Sequence, residues 1–299
     1  MNYFIESNER LRFDASSRSA LRGDFISLSD GITHYELTGP KDGELVVLVG
    51  GLTVPLFYWD RFSEKLHQCG YQTLAYSNYG RGYSDRIQAT NYNNALFVRQ
   101  LNEIITALGI DKHYHIIGAS MGALIAMEHT CQNSSAVATL TIAGPAGLSQ
   151  QPKLIRWLLR NNYIAQLVAK RLGRKWLQSH EDSDLGDKTH AKELSTMLRD
   201  SFQYEGSIHA IFDTLQNFRL FGRQELYRSV AKSNVPTMLI WGKDDQVTPI
   251  DSLDAARGLL HPQHCHVANC GHMVPFERPD IVTAQFESFL TKSREGIVS

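Results

Sequence analysis

The sequence has few cysteines, almost no net charge and no long apolar run. The cysteines stand at irregular spacing, at Cys69, Cys131, Cys265 and Cys270. They suggest no disulfide framework and are typical of reduced thiols in a cytoplasmic protein. No apolar stretch approaches the roughly 20 residues of a transmembrane helix. The N-terminal residues lack the basic and then apolar pattern of a secretory signal, so we expect a cytoplasmic protein without a transmembrane segment.

The charge is nearly balanced. The 30 Lys and Arg residues stand against 31 Asp and Glu residues, for a net charge of −1 and a pI near 6.9. A protein that binds nucleic acid through its general surface needs an excess of basic residues, so we expect no nucleic-acid partner. With 42% hydrophobic residues, the chain is typical of a globular protein with a substantial core.

Short apolar strands alternate regularly with helical segments. Strands are predicted at residues 25–29 and 32–37 (an opening hairpin), 44–49, 73–77, 113–117, 136–142, 235–241 and 265–268. Helices are predicted at residues 57–68, 93–108, 123–129, 250–260 and 278–292. This alternation predicts an α/β fold whose mostly parallel sheet is covered by helices on both faces.

The alternation stops at residues 146–223, where no strand is predicted. Helices are predicted there at residues 153–172, 188–200 and 207–220. We therefore expect an α/β core formed by residues 1–145 and 224–299, with a helical lid, residues 146–223, inserted after the sixth strand. The lid is rich in apolar and aromatic residues, which suits a hydrophobic substrate.

One pentapeptide carries a specific chemical signal. Gly118-Ala119-Ser120-Met121-Gly122 follows an apolar strand and opens a helix, and this order is that of a nucleophile elbow. The sharp turn presents a serine hydroxyl in a strained conformation, and the glycines avoid clashes with the neighbouring strand and helix. Ser120 is the predicted nucleophile; the alternative is a serine in an ordinary glycine-rich turn.

A serine nucleophile needs a base, and the base needs an acid that orients it. Two loops after later strands contain candidates, one with Asp244 and Asp245 and the other with His272. Both loops fall at the carboxyl ends of predicted strands, where open α/β sheets bind their ligands. No carboxylate occurs at residues 143–150, so the strand before the lid offers no acid.

With these segments in order, the chain resembles the α/β-hydrolase superfamily, in its serine esterase or lipase-like branch, over nearly its whole length. In that family the strand after the lid ends in Gly-x-x-Asp-x-x-x-Pro, which maps onto Gly242, Asp245 and Pro249. The resemblance implies that Asp245 is the acid, with its neighbour Asp244 as the alternative. The family's Gly-His turn maps onto Gly271-His272 and implies that His272 is the base.

Two further loops of the family have counterparts. A Gly-x-Gly-x-Ser segment matches residues 80–84. The family usually has His-Gly after the strand at residues 44–49, and Gly50-Gly51 stands there instead. The loop still needs only a backbone N–H aimed at the oxyanion, so the two expected donors are Leu52 and Met121.

A dense group of histidines and cysteines near the C-terminus suggests zinc as an alternative. Its members are His261, His264, Cys265, His266, Cys270 and His272. Their spacing fits neither Cys-x-x-Cys nor His-Glu-x-x-His, so no metal is expected. The chain also lacks a Walker motif and a complete dinucleotide motif, and no cofactor is expected.

These residues predict a serine hydrolase that cleaves a carboxylic ester with a hydrophobic acyl group through an acyl-enzyme. Serine at the elbow excludes the superfamily branches that use an aspartate nucleophile. Thioesters, monoacylglycerols, C–C bonds of dienoic ring-fission products and methyl esters on an acyl-carrier protein remain alternatives. A catalytically silent binding module is the alternative from a different class, which an intact serine, acid and histidine disfavour.

The lid carries a run of positive charge without compensating acids. Between residues 151 and 175 there is no Asp or Glu, and the cations are Lys153, Arg156, Arg160, Lys170, Arg171, Arg174 and Lys175. One interpretation is an amphipathic helix with a solvated basic face. The alternative is docking, with Arg156 and Arg160 as candidate contacts to an acidic carrier protein, an anionic interface or a negatively charged substrate.

Overall fold

The computed structural model describes residues 1–89, 91–111, 113–151, 153–186 and 188–295. Its strands are β1 (Asp24–Ser27), β2 (Ile32–Thr38), β3 (Leu45–Val49), β4 (Gln72–Tyr76), β5 (Tyr114–Ala119), β6 (Val137–Ala143), β7 (Thr237–Gly242) and β8 (His264–Ala268). In the described residues they form one eight-stranded sheet in the order β1-β2-β4-β3-β5-β6-β7-β8.

The sheet is antiparallel at one end and parallel elsewhere. β1 pairs with β2 and β2 pairs with β4 in antiparallel register, and every other neighbouring pair is parallel. The predicted hairpin and the mostly parallel sheet are therefore confirmed. β5 and β7 are buried along their whole length, because helices cover both of their faces.

Helices pack on both faces of the sheet, and several lie between β6 and β7. They are α1 (Ala15–Ser19), α2 (Asp60–Gln68), α3 (Asn94–Ala107), α4 (Met121–Gln132), α5 (Lys153–Arg160), α6 (Asn162–Asp184), α7 (Ala191–Ser201), α8 (Ser207–Asn217), α9 (Gln224–Lys232), α10 (Leu253–Leu260), α11 (Val274–Glu277) and α12 (Pro279–Glu295). Short 3₁₀ segments lie at Leu56–Trp59, Lys188–His190 and Ile250–Ser252.

Alternate side chains of the strands enter two apolar layers. Val47 and Val49 of β3 pack in the layer that contains α3, α4, α9 and α10. Val46 and Leu48 of the same strand pack in the layer that contains α2 and α12. This division follows from the period of two along a strand and explains why the strands read as continuous apolar runs.

Helices α5 to α9 lie between β6 and β7, and in the described residues no strand lies between those two. α6 packs on α8 through a row of small buried residues, Ala165, Ala169 and Gly173. A Cβ on Gly173 would stand 2.8 Å from the Phe212 ring, so the close approach of the two helices depends on this glycine. Among the described helices, none is both long and apolar enough to cross a membrane.

The helix predicted over residues 153–172 is two helices, and this part of the prediction is wrong. The break lies at Asn161, whose Oδ1 accepts hydrogen bonds from the Tyr163 and Ile164 backbone N–H groups at 3.0 and 3.2 Å. An Asn side chain satisfies free N–H groups at a helix start, so it favours a new helix there over continuation of the first.

Candidate active site

Ser120 lies at the turn between β5 and α4, with φ 55° and ψ −117°. A positive φ is strained for serine, and the neighbouring glycines are required by contact. A Cβ on Gly118 would stand 2.5 Å from the Gly122 carbonyl oxygen, and a Cβ on Gly122 would overlap the Val49 carbonyl. The strand, sharp turn and helix expected around Ser120 are therefore present.

Asp245 and His272 form a buried pair at the carboxyl edge of the sheet. Their side chains are 0% and 4% exposed, and His272 Nδ1 lies 2.8 Å from Asp245 Oδ2. An ionised carboxylate only accepts hydrogen bonds, so the imidazole carries its proton on Nδ1 and leaves Nε2 as an acceptor. That is the tautomer in which a histidine can take a proton from a serine.

The two candidate acids have different environments. Asp245 Oδ1 accepts from the Val247 and Thr248 backbone N–H groups, each at 2.8 Å. These bonds fix the direction of the carboxylate. Asp244 is exposed, and its backbone N–H donates to the Cys270 carbonyl at 3.0 Å. The structure thus brings Asp245, and not Asp244, to the imidazole.

Thr248 and Gly144 also line this pair, and the sequence analysis missed both. Thr248 Oγ1 lies 2.8 Å from Asp245 Oδ2 and 3.3 Å from His272 Nδ1. Its hydroxyl has a single proton, so it donates only one hydrogen bond. Gly144 has φ +47°, and a Cβ there would stand 3.2 Å from Asp245 Oδ2. A single glycine or threonine after a strand carries no catalytic signal, which explains the omission.

Backbone contacts join the serine to the pair. The Ser120 N–H donates to the Ala143 carbonyl at 2.9 Å, where β6 ends. The next residue is Gly144, and a Cβ added to it would stand 3.4 Å from His272 Nδ1. Three strand ends, those of β5, β6 and β7, therefore meet around Ser120 and the buried pair, as parallel strands allow.

The loop after β3 runs past the serine. A Cβ on Gly51 would stand 3.4 Å from Ser120 Cβ and 3.9 Å from its Oγ, which places the following residue, Leu52, beside the elbow. Met121 is the first residue of α4, so its N–H has no acceptor within the helix and lies at the positive end of the helix dipole. Both predicted donors thus flank Ser120.

A buried arginine supports this loop. Arg81 is 1% exposed, and its Nε donates to the Leu52 carbonyl at 2.7 Å. Its other nitrogens donate to the Tyr79 carbonyl at 2.8 Å and to Thr214 Oγ1, on α8, at 2.9 Å. Burial lowers the pKa of Arg81 to about 9, and because this value is still above 7 the guanidinium is charged at neutral pH. Sequence matching found residues 80–84 without showing this role.

The insertion touches the opposite side of the site as well. The Gly186 N–H donates to Glu277 Oε2 at 2.9 Å, and a Cβ on Gly186 would stand 2.5 Å from the Gly271 nitrogen, next to His272. Leu185 is buried there. The segment between β6 and β7 therefore contacts both the turn that carries His272 and, through Thr214, the arginine that donates to the loop after β3.

Other predicted residues lie away from this centre. Arg156 and Arg160 are exposed on α5 and, in the described part of the chain, make no hydrogen bond or ion pair with the site. His264 Nε2 lies 2.7 Å from Gln285 Oε1, so it faces α12. In the described residues no three His, Cys, Asp or Glu side chains lie together in a way that could hold a metal ion.

Known proteins match this chain over most of its length. A family model for the alpha/beta hydrolase fold matches residues 44–279. The 2-hydroxy-6-oxononadienedioate/2-hydroxy-6-oxononatrienedioate hydrolase 1 of Pseudomonas putida is 27% identical over 285 residues, covering 89% of this chain and 96% of that protein. Two solved structures are similar in fold. A thermophilic esterase from Thermogutta terrifontis has a TM-score of 0.76 at 17% identity, covering 90% of this chain and 99% of the esterase. An esterase from Exiguobacterium antarcticum has a TM-score of 0.74 at 21% identity, with the same coverage of 90% and 99%.

Proposed function

Because the chain belongs to the alpha/beta hydrolase fold family, we propose that it is a serine hydrolase that cleaves carboxylic esters with a hydrophobic acyl group. The observation that carries the proposal is the buried His272–Asp245 pair, with Nδ1 and Oδ2 2.8 Å apart, beside a serine at φ 55°. A serine in a strained turn and a histidine whose Nε2 can accept a proton have the chemistry of an activated nucleophile.

In the acylation step, Ser120 Oγ attacks the ester carbonyl carbon while His272 Nε2 takes the hydroxyl proton. The Leu52 and Met121 N–H groups donate to the oxyanion that forms. The tetrahedral intermediate then breaks its bond to the leaving alkoxide, and His272 returns the proton to release an alcohol. Asp245 keeps the proton on Nδ1 and stabilises the imidazolium that exists between the two transfers.

Water completes the cycle. It attacks the acyl-enzyme carbonyl and gives one proton to His272 Nε2, and the second tetrahedral intermediate expels Ser120 Oγ, which recovers that proton. The products are a carboxylic acid and the regenerated serine. Apart from this water, the nucleophile, the base, the orienting acid and the oxyanion donors are all protein groups, so the mechanism uses no metal or nucleotide.

The surroundings support a hydrophobic acyl group. Leu52 and Met273, next to the oxyanion loop and the histidine, belong to one apolar cluster with residues of the insertion. Among those, Trp176 and Phe212 make an edge-to-face contact with ring centroids 5.6 Å apart. We propose that residues 146–223 act as a lid that supplies this apolar wall over residues 1–145 and 224–299.

A second candidate is C–C bond hydrolysis of a ring-fission product. It is favoured by the relative that is 27% identical and named as a dienedioate hydrolase. A dienedioate carries carboxylates, which need a cation in the site. Arg81 is buried near the serine, but it donates to three protein oxygens instead of facing a pocket. Because its donors are used by protein oxygens, Arg81 does not offer a binding group to a substrate carboxylate. Ester hydrolysis is therefore the first proposal.

Two measurements test the proposal. A fluorophosphonate probe should label the purified protein, and Ser120→Ala should abolish both labelling and hydrolysis of p-nitrophenyl esters. A panel from acetate to palmitate, assayed beside 2-hydroxy-6-oxononadienedioate, then ranks the substrates by kcat/KM. No labelling and no turnover would make the chain a binding module, and faster turnover of the dienedioate would establish the second candidate.

A further inference from the structure

The outer surface of α5 and α6 combines exposed apolar side chains with exposed cations. We call it the basic-aromatic face. Its apolar members are Leu154, Trp157, Tyr163 and Leu167. Its cations are Lys153, Arg156, Arg160, Arg171 and Lys175.

The apolar side chains of this face are unusually exposed to solvent. They are between 51% and 86% exposed, whereas the exposed large apolar side chains of the described residues outside α5 and α6 reach only 37% to 43%. They do not serve the packing of the insertion, because α6 buries the row Ala165, Ala169 and Gly173 against α8 instead. A concentration of exposed apolar surface of this kind marks an interaction site.

Among the described residues, no carboxylate pairs with the arginines of this face. Arg174 on the same helix pairs with Glu6 at 2.9 Å, but in the described parts of the chain no carboxylate lies within 4.0 Å of Arg156, Arg160 or Arg171. Since the sequence from 151 to 175 contains no acid, these residues of α5 and α6 contribute only positive charge to the face. Its occupant must therefore carry negative charge and accept apolar side chains.

We propose that the basic-aromatic face docks on an anionic lipid surface. Leu, Trp and Tyr side chains enter the boundary between headgroups and acyl chains, and Lys and Arg bind the lipid phosphates. Trp157 and Tyr163 suit that boundary because each has an apolar ring with one polar group.

Two other occupants fit less well. A second copy of the chain would meet this face through two-fold symmetry, which would place the same cations against each other. The centre of a protein interface is depleted of Lys, whereas here Lys and Arg alternate with the apolar residues along both helices. Interspersed cations and apolar side chains on an exposed helix are the pattern of interfacial binding.

Docking would also place the proposed active site next to the lipid. The insertion contacts the turn before His272 through Gly186 and the oxyanion loop through Thr214 and Arg81. Lipid binding itself does not depend on the proposed reaction, because the face and the serine are separate. The test therefore reads binding alone and uses Ser120→Ala, so that no lipid is hydrolysed.

The experiment is vesicle co-sedimentation with phosphatidylcholine alone and with phosphatidylcholine mixed with phosphatidylglycerol. We expect binding to the anionic vesicles, weakened by salt because exposed charges act over a Debye length of about 8 Å. Each cation near an anionic surface contributes about fivefold, so Arg156→Glu/Arg160→Glu should weaken binding by at least about 30-fold. Lys41→Glu/Lys232→Glu, a matched reversal of two exposed cations elsewhere, should have a much smaller effect.

Tryptophan fluorescence supplies an independent readout. Trp59 and Trp241 are fully buried and Trp176 is partly buried, whereas Trp157 is 60% exposed. Brominated anionic lipid should therefore quench Trp157, and Trp157→Phe should remove most of the quenching while vesicle binding persists. Circular dichroism melting of each variant confirms that it is folded.

Several results would overturn the proposal. Equal binding to neutral and anionic vesicles, or equal losses in the two double variants, would show that this face is not the lipid site. A dimer in sedimentation that Trp157→Ala dissociates would assign the face to a second copy. Binding of an acidic acyl-carrier protein, lost in Arg156→Glu/Arg160→Glu and without vesicle binding, would assign it to a protein partner.

Discussion

Replacing Asp245 by Asn should nearly abolish turnover while preserving the fold. The amide oxygen of the new side chain would still accept from the Val247 and Thr248 N–H groups, which Asp245 Oδ1 now does at 2.8 Å. The other atom would change from an acceptor to an NH₂ donor facing His272 Nδ1. Since the imidazole must then accept at Nδ1, its proton moves to Nε2, and it can no longer take the proton of Ser120.

The magnitude follows from this change of tautomer. Loss of the orienting acid in serine proteases costs about 10⁴-fold in kcat, which corresponds to about 5.4 kcal/mol in the barrier. Stability should fall by no more than about 1–2 kcal/mol, because the backbone contacts of the loop remain.

The assay compares kcat/KM for the best p-nitrophenyl ester, the rate of fluorophosphonate labelling and the melting temperature. Asp244→Asn is the matched control, since it changes the neighbouring carboxylate, which is exposed. It should leave kcat/KM within about twofold, as expected for an exposed residue outside the site. An Asp245→Asn enzyme within tenfold of the wild type, or a larger loss in Asp244→Asn, would refute the assigned acid.

Three further perturbations probe other parts of the molecule. Arg81→Met removes the donor to the Leu52 carbonyl, so kcat should fall about 10- to 100-fold with little change in KM, and Arg81→Lys should recover part of it; a change in KM alone would exclude a positioning role. Gly144→Ala adds a Cβ at φ +47° against Asp245 and His272, so kcat/KM should fall about 10-fold or more, while unchanged turnover would show that the pair can move aside. Burial lowers the pKa of His34 and of His129 to about 4 from the usual 6.5. Below pH 6.5 each of these histidines binds a proton in the unfolded chain but stays neutral in the native state. Each should therefore lower the free energy of unfolding by about 2 kcal/mol between pH 7 and pH 5. Urea titrations measure this slope, and His129→Gln should flatten it.

Much of the fold could be predicted because its signals are local. The strands of the parallel sheet are buried on both faces, so β3, β5 and β7 appear in the sequence as uninterrupted apolar runs. The short helices α1, α9 and α11 were not predicted. α9 is stabilised by burying Leu226, Tyr227 and Val230 in the core. Three apolar positions are too few to give a clear helical periodicity in the sequence.

The elbow could be predicted for a similar reason. Gly118 and Gly122 are required because the turn brings the chain so close to neighbouring backbone that a side chain would clash. Both glycines lie within one pentapeptide, so this requirement is visible in the sequence. The order of the serine, the acid and the histidine along the chain is equally visible, since each follows a strand end. The sequence by itself therefore determined the fold class, the elbow and the candidate residues.

Only the tertiary structure decided which groups meet. Asp244 and Asp245 are adjacent and chemically identical, and the turn after β7 buries one against His272 and exposes the other. Arg81 reaches Leu52 and Thr214, which are distant in sequence, so no local pattern indicates its contacts. An amphipathic helix was one interpretation of residues 153–160, whereas Leu154 and Trp157 of α5 are exposed in the structure. Burial and long-range hydrogen bonds depend on how separate segments pack together, and that information is absent from any single stretch of sequence.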